Sequence, residues 1–176
     1  MMVRAVFRLA KGPLRVIDFV SPRLYMRIYL RLLRAVGVKV TGTPRYVSPG
    51  CKLDIFHLIS LGDRVVISDR TVLLTHDYSL TTGLIAIGEQ PETDKAFLRP
   101  VVIESNVFIG MGSMLLPGAR VLENTIVGAG SVVRGTVGPN AIVMGNPAVQ
   151  IGTLTEKAMR WRSPKDSGIG LQVDAK

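Results

Sequence analysis

The stretch VVIESNVFIGMGSMLLPGARVLENTIVGAGSVV, residues 101–133, decides the fold. Its large aliphatics recur at every sixth position: Ile103, Ile109, Leu115, Val121, Val127 and Val133. The same register runs upstream through Leu61, Ile67 and Leu73. At 47% hydrophobic content, independent placement would fill these nine positions with aliphatics roughly once in a thousand trials. The fourth residue after each aliphatic is small or β-branched: Val65, Thr71, Val107, Ser113, Ala119, Thr125, Ser131 and Val137. Gly62, Gly110 and Gly128 follow an aliphatic directly. Asn106, Gly112, Gly118, Asn124 and Gly130 stand where a tight turn needs a positive φ.

Period six fits neither the helical period nor the two-residue alternation of a simple strand. It fits short strands joined by tight turns, with one large residue per unit pointing inward. Three such units close a triangular coil, and successive coils stack by hydrogen bonding about 4.8 Å apart. Val47 and Leu53 begin an earlier coil, with DIFHLIS, residues 54–60, as a slight insertion before Leu61. The predicted domain is therefore mainly β and spans 38–152.

The pattern breaks once. LLTHDYSL, residues 73–80, opens on a core aliphatic and runs into His76, one of only two histidines. Residues 78–100 are polar and punctuated by Pro and Gly, so they read as a loop extruded from the stack.

The chain has 176 residues, enough for one domain with a real core. A single cysteine, Cys51, excludes an internal disulfide framework and a thiolate metal cluster. It fits a reducing compartment, so a cytoplasmic location is expected. The net charge of +9 is concentrated at the N-terminus. Residues 1–40 carry nine Arg or Lys against Asp18 alone. Their recurrence argues against a secretory signal. Residues 135–155 lack charge, yet their glycines and prolines argue against a membrane span.

Residues 1–37 form a basic amphipathic helical segment. In SPRLYMRIYLRLLRAVG, residues 21–37, Ser21 is placed to cap a helix, Pro22 suits its first turn and Gly37 its end. Arg23, Arg27, Arg31 and Arg34 make one stripe on an otherwise apolar helix. Packing on the protein with the arginines solvated competes with peripheral contact at an anionic membrane. No recognition motif suggests nucleic acid. Residues 153–176 read as a short helix and a flexible tail.

These residues resemble the hexapeptide-repeat acyltransferases, whose fold is a left-handed parallel β-helix. The nearest look is to the galactoside/maltose and colanic-acid type O-acetyltransferases. The matching stretches are LRLLRAVGVKV (30–40), LGDRVVISDRTVLLTHD (61–77), the opening stretch and NAIVMGNPA (140–148). The resemblance implies a homotrimer with acyl-CoA, most often acetyl-CoA, in the groove between neighbouring subunits, and no metal. It implies an O-acetyltransferase of polysaccharide biosynthesis acting on a sugar or glycolipid hydroxyl. His76 takes the place of the general base, in direct transfer. Asp77 and Asp54 are candidates to orient the imidazole or bind the acceptor. The loop 78–100 is expected over the cleft of an adjacent subunit. Met111, Gly112, Ala129, Ser131, Arg134 and Gly135 match positions along bound CoA. Relatives carry Lys or Arg after GNPA, where this chain has Val149 and Gln150. Lys157, Arg160 or Arg162 are possible substitutes for that charge.

Two other classes compete. A zinc hydratase on the same fold needs about three converging histidines, against only His57 and His76 here. A non-enzymatic trimeric scaffold docking at anionic membranes accounts for the repeats and the basic segment, but not for the long loop rooted at His76.

Overall fold

The six-residue period folds as a three-sided prism of parallel strands. The computed structural model describes residues 2–162, so the expected flexible tail, 163–176, lies outside the described residues. One sheet stacks Lys39–Val40, Ile59–Leu61, Val101–Ile103, Arg120–Val121 and Thr136–Val137. A second stacks Tyr46–Val47, Val66–Ile67, Phe108–Ile109, Ile126–Val127 and Ala141–Met144, and ends with Val149–Thr153. The third stacks Lys52–Leu53, Val72–Leu73, Met114–Leu115 and Val132–Val133. Every pairing in these sheets is parallel except the last of the second sheet, where the chain turns back.

The register places aliphatic on aliphatic. Val47, Ile67, Ile109, Val127 and Val143 form one ladder, and Leu53, Leu73, Leu115 and Val133 another. Val40, Leu61, Ile103, Val121 and Val137 form the third. Most of these side chains are fully buried, and the small residues Val65, Thr71, Ser113, Ala119, Thr125 and Ser131 fill the bends beside them. The insertion before Leu61 is a single 3₁₀ turn, Phe56–Leu58.

Two turn positions show what the coil spacing demands. A Cβ at Gly110 would stand 2.5 Å from the backbone nitrogen of Ala129 on the next coil, so only glycine fits. Asn106 and Asn124 adopt positive φ, as do Gly112, Gly118 and Gly130. Arg64 and Arg70 do the same, at φ 54 and 57. Their residue type gives no hint of this; their place in the six-residue register does.

The basic segment is two helices rather than one. α1 (Met2–Val20) and α2 (Pro22–Ala35) meet at Ser21, whose hydroxyl accepts from the Leu24 N–H and caps α2. Pro13 lies inside α1 on its exposed side, where the carbonyl it leaves unpaired is not buried. The pair covers the open end of the first coil. Phe7 and Leu14 of α1, and Tyr25, Tyr29 and Leu33 of α2, join Cys51, Phe56 and Val47 in one core. Hydrogen bonds tie the cap down, among them Tyr25 Oη donating to the Val47 carbonyl (2.5 Å), Lys11 Nζ to the Cys51 carbonyl (2.5 Å) and Tyr46 Oη to Asp18 Oδ2 (2.7 Å). The chain ends its described course in α4 (Leu154–Trp161), capped by Thr153.

The alternation along one strand yields a paired prediction. Ile109 is fully buried and its neighbour Phe108 is 42% exposed. Ile109→Ala should lower unfolding free energy by about 2–5 kcal/mol, and Phe108→Ala by under about 1 kcal/mol, in urea denaturation. Equal losses would contradict the ladder.

Candidate active site

Stacking of Leu53 on Leu73 brings the residues just past each into contact. Asp54, on the first coil, accepts three hydrogen bonds at Oδ2. They come from the Thr75 N–H (3.0 Å), the Thr75 hydroxyl (2.7 Å) and His76 Nδ1 (2.5 Å). The Thr75 hydroxyl in turn accepts from the Ile55 N–H (3.1 Å). Burial opposes ionisation of Asp54, but the bonds from Thr75 and His76 prevail and hold its carboxyl below the usual range. An ionised Asp54 keeps the ring proton on Nδ1 and leaves the Nε2 lone pair of neutral His76 available.

The chain leaves the prism at this point through a short antiparallel neck. His76 pairs with Leu98 and Asp77 with Phe97. The Arg99 N–H donates to the Thr75 carbonyl (2.9 Å) where the chain returns. The segment expected as irregular loop contains a helix, α3 (Ser79–Ala86), with no buried residue. Thr81 fastens it to Lys95 through both backbone groups. His76 is half-exposed, with Tyr78 edge-on at 5.4 Å between ring centroids.

Two clefts flank this pair. The first, about 340 Å³, is lined by His76, Asp77, Phe97, Arg99, Pro117 and Arg134. Here Asp77 Oδ1 accepts from the Ser79 N–H (2.8 Å) and closes the turn into α3. That bond holds the exposed Asp77 carboxyl below the usual range, with Arg134 and Arg99 adding to it. The second cleft, about 230 Å³, is lined by Phe7, Lys11, Arg15, Lys52 and Asp54 among others. Thr75, Arg99 and Lys52 were not legible as site residues. Thr75 and Lys52 sit at ordinary repeat positions, and Arg99 lies at the far end of the loop in sequence.

Residues 100–135 match the family described as bacterial transferase hexapeptide (six repeats). These residues carry hexapeptide repeats. The chain is 30% identical over 91 residues to a galactoside O-acetyltransferase of Lactococcus lactis, covering 52% of this chain and 41% of that one. It is 28% identical over 122 residues to the galactoside O-acetyltransferase of Escherichia coli, covering 65% and 60%. The chain spans about half the length of the curated relatives it matches. A galactoside acetyltransferase solved in complex with coenzyme A shares the fold, with a TM-score of 0.59 at 20% identity over 88% of this chain and 84% of that one. The hexapeptide-repeat likeness implies the left-handed coil.

On the hexapeptide prism the remaining candidate residues fall at two corners. Met111 and Gly112 stack over Ala129 and Gly130, with the Gly130 N–H donating to the Met111 carbonyl (2.8 Å). Met111, Gly112 and Ala129 are exposed there. Ser131 faces inward: its buried hydroxyl donates to the Gly128 carbonyl (2.6 Å) and accepts from the Gly145 N–H (3.2 Å). Arg134 and Gly135 occupy the other corner, and Arg134 shares the cleft of His76. Lys157 and Arg160 line a separate cleft with Ile151 and Trp161 at the last coil, and Arg162 is exposed just beyond α4. His57 lies against Gly37 at the end of α2. Among the described residues no three His, Cys, Asp or Glu side chains form a metal-holding group.

The Asp54 hub has a testable signature in stability. A carboxyl held below its usual range stabilises the fold above the unfolded-state value, near pH 3.9, and ceases to do so as pH falls through its folded-state value. The thermal midpoint of Asp54→Ala should therefore lie below wild type at neutral pH. The gap should narrow as pH falls from about 6 towards 3. A gap that widens on acidification would show that Asp54 is not held ionised.

Proposed function

We propose that this chain transfers an acyl group, in the first place acetyl, from acyl-CoA to a sugar hydroxyl of a glycan or glycolipid precursor. The carrying observation is the contact between Asp54 and His76 at the rigid root of the loop. Nε2 takes the proton of the acceptor hydroxyl as its oxygen bonds to the acyl carbonyl carbon. The thioester C–S bond breaks, and the imidazolium returns the proton to the departing sulfur. Asp54 keeps the ring in one tautomer and offsets the positive charge that develops on it.

The acyl thioester supplies an activated carbonyl. The corner at Met111, Gly112 and Ala129 fits the pantetheine chain. Added Cβ atoms at Gly112 and Gly130 would meet nothing within 4 Å, so the backbone there is open to close approach. Arg134 supplies a cation beside His76. The galactoside acetyltransferase with coenzyme A supports the same choice of donor. In the proposed homotrimer a neighbouring subunit completes the groove, and the arm bearing α3 reaches over it.

The decisive assay follows free thiol with acetyl-CoA and candidate sugars. His76→Ala should lose about 10²–10⁴-fold in kcat while keeping the wild-type assembled mass in light scattering. Asp54→Asn should lose roughly tenfold or more in kcat with little change in the KM for acetyl-CoA. Retained turnover in His76→Ala would refute the base.

The second cleft refines the acceptor. Lys11, Arg15 and Lys52 line it beside Asp54, which favours an acceptor carrying phosphate or carboxylate. Lys52→Gln should raise the KM for an anionic sugar acceptor severalfold and leave the KM for acetyl-CoA unchanged. Equal use of neutral and anionic sugars would contradict this refinement.

A further inference from the structure

We infer that the outer face of the α1–α2 cap is a docking surface for an anionic lipid bilayer. α1 is apolar on two opposite faces. Phe7 and Leu14 are buried against the prism. Leu9, Val16 and Val20, spaced by seven and four residues, form a second stripe on the far side, exposed at 78%, 65% and 76%. Nothing in an isolated water-exposed helix accounts for a second apolar stripe. At the corner into α2 the stripe widens through Phe19, which is 91% exposed, and Leu24, then continues in Ile28.

The charges around this patch choose its partner. Arg15 lies one turn before Phe19, and Arg27 and Arg31 flank Leu24 and Ile28; all three arginines are exposed. Apolar residues ringed by arginine match the boundary between acyl chains and anionic headgroups. A second copy of the chain would bring the same arginines against each other. Neither cap helix, nor any other helix among the described residues, is long and apolar enough to cross a membrane. The cap therefore lies in the interface plane.

This placement gives the cap a second task. It closes the first coil, which carries Asp54, and α1 contributes Phe7, Lys11 and Arg15 to the cleft beside that carboxylate. Docking on α1 holds that cleft about one helix diameter, 10–12 Å, from the bilayer surface, within reach of an acceptor sugar held on a lipid. The docking inference itself does not require the acyl-transfer reading, and its readout is independent of turnover.

Co-sedimentation of the full chain with vesicles tests it. Binding is expected to vesicles of three parts phosphatidylcholine to one part phosphatidylglycerol, and to fall steeply from low salt to 0.5 M. Pure phosphatidylcholine should bind at least tenfold more weakly. Arg27→Gln/Arg31→Gln should lower partitioning roughly 30-fold, and Phe19→Ser/Val20→Ser roughly tenfold. Both pairs are exposed, so circular dichroism should be unchanged. The inference is overturned by absence of binding at low salt, or by binding that survives Phe19→Ser/Val20→Ser intact. It is equally overturned if that variant lowers the assembled mass in light scattering, since the face would then join subunits.

Discussion

Everything in this molecule depends on keeping aliphatic ladders in register from coil to coil. One coil presses so closely on the next that a Cβ at Gly110 would collide with the backbone of Ala129. Such stacking leaves no freedom for a strand to slip, because a one-residue shift would turn each inward aliphatic to the outside. The loop after Leu73 exists within this constraint. Leu73 pairs with Leu53 on one side and Leu115 on the other, so the chain departs from a position fixed from both sides. The extruded segment can differ in length and content without disturbing the stack. Its first residues, Thr75 and His76, cannot wander.

Register also explains how two residues far apart in sequence meet. Asp54 is the first residue past the third-sheet strand of the first coil, and Thr75 and His76 leave the same corner one coil later. Hydrogen bonding between coils brings their backbones together, and Asp54 collects Thr75 and His76 on one oxygen. Burial alone would favour a neutral carboxyl there; the donors reverse that preference. The adjacent Asp77 lines the cleft beside His76 but is not among these bonds. Its side chain is spent on the Ser79 N–H, as expected of an aspartate that opens a turn.

The repeat was legible because it is a long periodic signal, and the register located even the positive-φ turns at Asn106 and Asn124. The positive φ of Arg64 and Arg70 was hidden in residue type. The choice between Asp54 and Asp77 as partner of His76 was not legible, since it turns on the direction in which the chain leaves the corner. The helix α3 was missed because it buries no residue and so shows no apolar period. α1 was expected as helical despite Gly12 and Pro13: glycine costs a helix interior backbone entropy and proline removes one hydrogen bond, and both residues lie on the exposed side of α1.

The same helix shows why a prism needs a cap and what a cap can add. An open coil end presents its ladder residues and unpaired strand edges to water, and in this chain α1 and α2 cover them with Phe7, Leu14, Tyr25 and Tyr29. Those buried contacts require only one face of α1. The remaining surface was free to take any composition compatible with solubility, and scattered polar residues would have sufficed. Instead it carries Leu9, Val16, Phe19 and Val20 beside Arg15, at the end of the prism nearest Asp54. Solubility disfavours that composition and packing does not require it, so its cause lies outside the folded chain. A charged, apolar boundary supplies such a cause, and it would hold the first coil, with Asp54 and the cleft of Lys11, Arg15 and Lys52, about one helix diameter from its surface.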